Sequence, residues 1–594
     1  MLAVPTRAQT VPSGVMPVVN QPIGAVLRQG GTHDRLALSD TDEVARDFEA
    51  FVADAAAHRG AIAAPVALPA HAAHDLAWWS ADVAALAGAR PMALRDMIDR
   101  ATRSSFQIGV FGALPAIRDT GVDEARGRFT PEAYAEVRHS DNQDRTTALS
   151  QTGGDLRLKE IDNSAEAGIR SRLRSGAQVT LSQRFSNLDT NNIIYRPTSQ
   201  SRSRSTISVI QPLLREAGTG YNTAIERIAG LEAETARLEF RRQAESHLLQ
   251  VIRSYWTLYL ARANHAQEVR AAGAVDDLAS RLGKRSDLDA QPLQLSRARA
   301  VASVRAAGLV RAANAVRNAE ARLQSLVNDP ELTKAGAAEI VPADAPASQG
   351  LIVDARALTE TAMAQRPEVR SAFLSYRSAL LREGMARNER MPQLDLVLEA
   401  STRGGNYNGN IFPSFGDAWS ERPSYTVGAR FAVPLGKDER RARYDRRRIE
   451  TMQQALQARS TIDTVILELE VSTNELVTAN NELVQRGEAL RLATADKGTI
   501  TTRWQSGLAG AQGSAGGNDG VLYLDQLLGA QDRVTTAELD FAEAQATAMV
   551  AAANLSRARG TLLTDLGYGI TRDDGGGRLL PTYRLVAATA SAAK

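Results

Sequence analysis

The stretch that decides the fold is residues 462–490, IDTVILELEVSTNELVTANNELVQRGEAL. Its aliphatic residues recur every seven positions, at Ile462, Leu469, Leu476, Leu483 and Leu490. Small or polar residues occupy the second seam of the heptad, and this pattern is typical of a coiled coil with a closely approaching neighbour. The segment therefore predicts a long helix that packs along another helix.

Prolines indicate how far such helices can extend, because proline breaks a helix interior. Residues 213–329 contain only Pro292, and residues 435–580 contain no proline. Each of these two regions is interrupted once, by Leu282–Asp287 in the first and by the glycine-rich Gly507–Gly520 in the second. We expect each region to form an antiparallel helical hairpin, with helices of about 65–70 residues and about 100 Å.

Before each helical region the hydrophobic period changes from helical to two, which is typical of strands. Alternation is clear at 394–401 and 425–433 in the second half and at 177–185 in the first, and weaker at 205–211. Charged residues on one face and aliphatic residues on the other fit a barrel wall between lipid and water. The alternative is an ordinary half-exposed sheet of a soluble protein.

The chain is an internal duplication. Ala101 and Pro131 match Ala362 and Pro392 at an offset of 261 residues, whereas residues 212–213 match 434–435 at 222, which leaves 39 extra residues in the first half. We expect these in a larger loop at about 140–203, with an added hairpin. The predicted divisions are an irregular N-terminal tail at 1–82, a first repeat at 83–329, a linker at 330–350, a second repeat at 351–570 and a C-terminal tail at 571–594.

Composition excludes several classes of protein. The 594 residues include no cysteine, which rules out disulfides, a thiolate metal site and a cysteine nucleophile. A net charge of +2 argues against nucleic-acid binding. The chain contains no run of about 18 apolar residues, the length that would predict a transmembrane helix. No motif predicts a catalytic, metal or cofactor site. The start lacks the apolar core of a signal peptide, so the true start lies upstream or the protein is not exported.

Five segments together carry a resemblance to a known family. They are Val209–Arg215, Arg253–Leu258, Arg366–Val369, Met391–Leu396 and Gly428–Leu435. Their order, spacing and double occurrence resemble the TolC-like outer membrane efflux proteins over about residues 90–570. None of the five is specific by itself.

The resemblance implies a mixed α and β fold, in which long antiparallel helical hairpins form a periplasmic α-barrel joined to transmembrane strands of a β-barrel shared by a homotrimer. It implies an exit duct for tripartite efflux or type I secretion, in the outer membrane of a Gram-negative-type bacterium and extending into the periplasm. The implied partners are a periplasmic adaptor (membrane fusion) protein, an inner-membrane pump and outer membrane lipid. Two or three strands per half are too few to close a barrel, which agrees with several chains sharing it.

In this family acidic side chains at the helical tips ring the tunnel aperture. The residues at matching positions are Asp525 in the second hairpin and Asp287 and Asp289 in the first. Aspartate near a helix start is also a common N-cap, so both interpretations stay open. The candidates for stabilising the tips or contacting the adaptor are Arg281, Arg503, Gly283 and Gly507.

Two other functions remain. One is a soluble coiled-coil scaffold, which the alternating strands oppose and the absent signal peptide favours. The other is export of metal ions, which would be expected to leave methionine or histidine clusters that this sequence lacks.

Overall fold

The computed structural model describes residues 66–68, 77–84, 90–146, 148–284, 292–334, 338–346, 351–406, 416, 418, 422–433, 435, 439–510, 519–573 and 581–587. The chain divides into two compact units, each drawing on both sequence repeats. We call the unit with 123–229 and 376–456 the sheet unit, and the unit with 50–122, 230–375 and 457–594 the helical unit. The sequence repeats are therefore not separate compact domains.

The strands are β1 Val66–Leu68, β2 Arg90–Met92, β3 Glu132–Arg145, β4 Arg157–Arg172, β5 Gln178–Thr190, β6 Ser199–Pro212, β7 Ile340–Pro342, β8 Leu351–Val353, β9 Gln393–Asn406, β10 Ser424–Ala432, β11 Tyr568–Asp573 and β12 Thr582–Ala587. The helices are α1 Trp79–Ala84, α2 Leu94–Ser104, α3 Phe106–Gly127, α4 Thr219–Asn222, α5 Ala224–Lys284, α6 Pro292–Val327, α7 Pro330–Thr333, α8 Ala355–Gln365, α9 Pro367–Glu389, α10 Glu439–Gly510, α11 Asp519–Ala558 and α12 Leu562–Asp565.

The sheet unit contains an antiparallel sheet of six strands in the order β10-β9-β6-β5-β4-β3. The four strands predicted from alternation are present as β5, β6, β9 and β10. The region 140–203 is mostly strand rather than loop, and the added hairpin predicted there is present. Two strands of 14 and 16 residues, β3 and β4, pair along their full length and extend the sheet beyond β5.

The two helices that precede the predicted breaks are long, with 61 residues in α5 and 72 in α10. The helices that follow are shorter than predicted, at 36 residues in α6 and 40 in α11. All five heptad residues of α10, from Ile462 to Leu490, are buried, which confirms the predicted packing seam. Across the described residues, no helix combines the length and hydropathy needed to cross a membrane.

Both predicted breaks begin at residues that are helical in the structure. Helix α5 continues through Leu282–Lys284, and α10 continues through Gly507–Gly510. Pro292 is the first residue of α6, where its missing N–H costs no helical hydrogen bond. Residues 285–291 and 511–518 lie outside the described residues.

The internal duplication is visible in the bounds of the elements. Helix α2 ends and α3 begins at Ser104 and Phe106, and α8 ends and α9 begins at Gln365 and Pro367, the same offset of 261 residues seen in the sequence. Strand β3 begins at Glu132 and β9 begins at Gln393, again at that offset. The two repeats therefore have corresponding helices and a corresponding first strand, and they differ in the number of strands that follow it.

The segments predicted to be irregular tails contain packed elements. In the N-terminal segment, Trp79 is fully buried, and its ring meets Phe541 of α11 edge-on at 6.3 Å between centroids. The neighbouring Trp78 donates its indole N–H to Glu538, at 2.8 Å. In the C-terminal segment, β12 pairs with β11, and Tyr583 donates to Asp119 at 2.7 Å. The irregular-tail predictions are therefore wrong for 77–82 and 582–587.

The Arg366–Val369 segment has a structural role in the helical unit. Arg366 is only 2% exposed, and its Nε donates to the carbonyl of Ala558 at 2.7 Å. Its guanidinium also pairs with Glu368 at 3.0 Å and with Glu468 of α10. Gly560 has φ +73°, and a Cβ there would lie 3.0 Å from the Arg366 backbone. A buried cation thus joins α9, α10 and the end of α11.

A buried histidine gives the helical unit a pH-dependent stability. His247 of α5 is 2% exposed, and its Nε2 lies 3.0 Å from the Ser105 hydroxyl between α2 and α3. Burial lowers the pKa of His247 below its ordinary value of 6.5. Below pH 6.5 the unfolded chain takes up a proton that the folded chain does not. The free energy of unfolding therefore decreases as the pH is lowered, by at most about 1.4 kcal/mol per pH unit.

We therefore expect His247→Gln to remove part of the loss of stability between pH 6.5 and 5. The measurement is the thermal midpoint of both proteins at half-unit steps from pH 8 to pH 5. The two curves should run parallel above pH 7, and the wild-type curve should fall more steeply below it. Parallel curves over the whole range would contradict this assignment.

Candidate functional site: a two-faced sheet and the ends of four helices

One face of the sheet unit carries an apolar band. Side chains alternate between faces along a strand, and paired residues lie side by side on one face, so the register assigns each residue to a face. The band contains Ala133, Ala135 and Val137 on β3, Ala165, Ala167 and Ile169 on β4, Val179, Leu181 and Phe185 on β5, Ile207 and Val209 on β6, Leu394, Leu396, Leu398 and Ala400 on β9, and Tyr425, Val427, Ala429 and Phe431 on β10.

The apolar band is exposed and limited in height. Val137 is 85% exposed, Tyr425 83% and Val427 68%. From Leu394 to Ala400 the band extends about 20 Å along β9. Further along β3, the same face carries His139 and Asp141, which are polar. On the same face, Gln183, Ser203 and Ser205 interrupt the band. Singly exposed apolar side chains are normal, but an exposed apolar patch of this size marks a surface for a partner or a membrane.

The opposite face of the sheet is polar and charged. Glu132 accepts from Arg170 at 2.8 Å, and Arg204 donates to Glu399 at 2.6 Å. Tyr134 donates to Glu166 at 2.9 Å on the same face. The sheet therefore has one face suited to an apolar medium and one suited to water, which is the pattern of a wall between lipid and an aqueous lumen.

In the helical unit, an apolar cluster joins the ends of four helices. It contains Val275, Leu278 and Leu282 of α5, Ala298 of α6, Trp504 of α10, and Leu524, Leu527 and Leu528 of α11. These residues are buried, with Leu524 and Ala298 fully so. The cluster fixes the end of α5 beside the start of α6, and the end of α10 beside the start of α11. This is the region that the sequence predicted to be the helical tip.

Ion pairs cross between helices beside this cluster. Asp525 of α11 pairs with Arg297 of α6, and the two side chains are 48% and 44% exposed. About two turns further along α6, Arg305 contacts Glu268 at 3.4 Å and also pairs with Asp532. Each pair links α6 to another helix, so these charges hold α6 against its neighbours.

The predicted site residues have different outcomes. Asp525 lies beyond the first turn of α11, which begins at Asp519, so the N-cap alternative for Asp525 is wrong. Arg281 and Arg503 are exposed near the apolar cluster, and neither has an ion-pair partner among the described residues. Gly283 lies in the last turn of α5 and Gly507 within α10, so neither is in a loop. Asp287 and Asp289 lie outside the described residues.

Sequence reasoning missed Arg297, the partner of Asp525. The two residues are 228 positions apart in the chain, and Arg297 lies among other basic residues of α6 that look alike in sequence. No local pattern distinguishes it, because only the packing of α6 on α11 brings the two charges together. Within the described ranges, no group of three or more His, Asp or Glu side chains is placed to hold a metal ion.

Comparison with known proteins gives a clear result for structure and none for sequence. No family model matches the chain, and no curated protein matches it. Solved structures of outer membrane channels do match. The outer-membrane channel OprN aligns with a TM-score of 0.56 and 13% identity, over 83% of this chain and 98% of its own.

Two other channels give similar values. The Campylobacter jejuni outer membrane channel CmeC aligns with a TM-score of 0.54 and 12% identity, over 81% of this chain and 91% of its own. The open state of the Neisseria gonorrhoeae channel MtrE aligns with a TM-score of 0.53 and 16% identity, over 84% of this chain and 96% of its own. These neighbours are TolC-family outer membrane efflux channels. The chain therefore has the fold of the TolC-like outer membrane channels.

Proposed function

We propose that the chain is one subunit of a homotrimeric exit duct in the outer membrane. In this proposal the sheet units of three copies form one shared barrel, with the apolar band toward lipid and the polar face toward the lumen. The helical hairpins continue as a tunnel into the periplasm. The observation that carries the proposal is the segregation of the sheet into an apolar and a charged face, together with the likeness to channels.

The proposed role is passive conduction in tripartite efflux or type I secretion. A periplasmic adaptor and an inner-membrane pump would deliver cargo to the ends of the helices. Exposed apolar side chains beside the apolar cluster support a docking surface there, because Leu293 and Leu522 are 51% and 55% exposed and Tyr523 is 38% exposed. Arg281, Gly283, Arg503 and Gly507 lie near the ends of α5 and α10, and Asp287 and Asp289 precede α6 in the chain.

The duct is tested by electrical recording from the purified protein in planar bilayers. We expect discrete conductance steps of a water-filled pore. The alternative, a soluble coiled-coil scaffold, predicts no steps and no detergent requirement. A preparation that is folded by circular dichroism but never conducts would contradict the proposal.

Asp525 is proposed to help close the aperture through its pair with Arg297. Such exposed pairs contribute about 0.5–1 kcal/mol, so Asp525→Asn and Arg297→Gln should each raise the ratio of open to closed states about two- to fivefold. The charge swap Arg297→Asp with Asp525→Arg should restore the closed fraction. The measurement is the open probability in planar bilayers at low salt, where screening is weak.

The same series separates two roles of Asp525. If its carboxylate acts as part of a cation-attracting ring, Asp525→Asn lowers cation selectivity, whereas Arg297→Gln does not lower it. If the charge swap leaves the pore as open as the single variants, the pair does not hold the closed state. Arg281→Gln is the matched control, because Arg281 is exposed nearby and has no ion pair to lose among the described residues.

A further inference from the structure

The number of strands in the sheet sets the size of the shared wall. Strands β3 and β10 are the two edges of the six-stranded sheet and do not pair with each other. A sheet edge leaves rows of backbone N–H and C=O groups without partners, and such an edge cannot remain open in lipid. Each edge in the proposed wall therefore needs a strand from another copy.

Strand β5, the outermost of the four strands predicted from alternation, is not available as an edge. Strand β4 pairs with β5 along the whole of Gln178–Thr190, and β3 pairs with β4 along the whole of Glu132–Arg145. The four strands predicted from alternation would place β5 at the edge. The added hairpin of β3 and β4 moves that edge outward by two strands.

The added hairpin carries the same two faces as the rest of the sheet. On the apolar side, Ala133 is in register with Ile169, which is in register with Leu181 of β5. On the polar side, Glu132 is in register with Arg170 and forms an ion pair with it. A hairpin outside the membrane would not require an apolar face and a polar face that continue those of the sheet. The two faces of the hairpin therefore fit a position within the proposed wall.

The two edges also match in direction. Each strand of the sheet is antiparallel to its neighbour, so with six strands β3 and β10 run in opposite directions. Pairing of β3 with β10 of another copy is therefore antiparallel, as in every bacterial barrel of even strand number.

We propose that each copy contributes six strands and that three copies close an 18-stranded wall through β3–β10 contacts. This inference rests on the proposed function. Barrel diameter grows roughly in proportion to strand number, so the lumen would be about one and a half times as wide as that of a wall built from four strands per copy. Barrels of 16–18 strands enclose an aqueous channel rather than a side-chain core. The duct then admits bulky water-soluble cargo at its outer end.

Engineered cysteines test the β3–β10 contact in a chain that has no cysteine of its own. Ala135→Cys on β3 is combined in turn with Tyr425→Cys, Val427→Cys, Ala429→Cys and Phe431→Cys on β10. All five positions lie on the apolar face, where facing residues of paired strands have Cβ atoms about 4.5–5.5 Å apart, close enough for a disulfide after a small adjustment. Under mild oxidation, at least one pair should give covalent species of two and three times 63.8 kDa in a denaturing gel.

The matched control places the first cysteine on β5 instead, as Leu181→Cys, with the same four β10 positions. No intermolecular product is expected from this series. Products from Leu181→Cys and none from Ala135→Cys would establish four strands per copy and overturn the inference. If neither series cross-links but the reduced protein is a trimer in detergent, the inference is wrong and the duct stands; if the reduced protein is a monomer, the proposed function fails as well.

Discussion

Val427→Arg is expected to destabilise the assembled protein by about 2–4 kcal/mol per subunit, the cost of arginine on the lipid face near the bilayer midplane. Val427 is 68% exposed and lies within the apolar band, opposite Leu398. In an ordinary soluble sheet the same change would cost almost nothing, because an exposed arginine is well hydrated. The effect is read from the urea concentration that unfolds the protein in detergent micelles or lipid vesicles.

Thr426→Arg is the matched control, one residue earlier on the same strand and on the polar face. It should shift the unfolding midpoint little, because its side chain faces the aqueous lumen in this account. Equal shifts for the two variants would show that the two faces of the sheet meet the same medium, and the lipid-facing assignment would then be wrong.

Arg366→Met is expected to lower the free energy of unfolding by about 2–4 kcal/mol, the range for breaking a buried, hydrogen-bonded charge. Methionine fills much of the arginine volume but leaves the Ala558 carbonyl without its side-chain donor and Glu368 without its partner. Because Arg366 is buried, water does not readily replace it. The measurement is the denaturant midpoint and slope of the helical signal in circular dichroism.

Arg370→Met, in the first turn of α9, is the control. Arg370 is 59% exposed and pairs with Glu234 at 3.3 Å, so its loss should cost no more than about 1 kcal/mol. If Arg366→Met is no more damaging than Arg370→Met, the buried cation does not stabilise the junction of α9, α10 and α11.

The helices and four of the six strands of the sheet could be predicted because their patterns are local. The heptad from Ile462 to Leu490 and the alternation at 394–401 depend only on side chains within one element. Strand β3 has no such signal: beyond Val137 its residues are polar on both faces, and its band residues Ala133 and Ala135 are small. A sequence of this kind is indistinguishable from a polar loop until its pairing with β4 is known.

The ends of the helices were misplaced for a related reason. Glycine lowers helix propensity by about 1 kcal/mol relative to alanine, which made Gly507 a reasonable end for α10. In the structure, Trp504 packs into the apolar cluster one turn earlier, and tertiary packing of this kind outweighs local propensity. The pair between Arg297 and Asp525 was out of reach for sequence reasoning, since it depends on how α6 packs against α11.

The central claim is a homotrimer that needs an apolar environment, and the mass of the detergent-extracted protein tests it most directly. Light scattering after size exclusion, corrected for bound detergent, should give about three times 63.8 kDa, and removing the detergent should precipitate the protein. A monomer or dimer that stays soluble without detergent would contradict the shared wall and assign the long helices to a soluble scaffold.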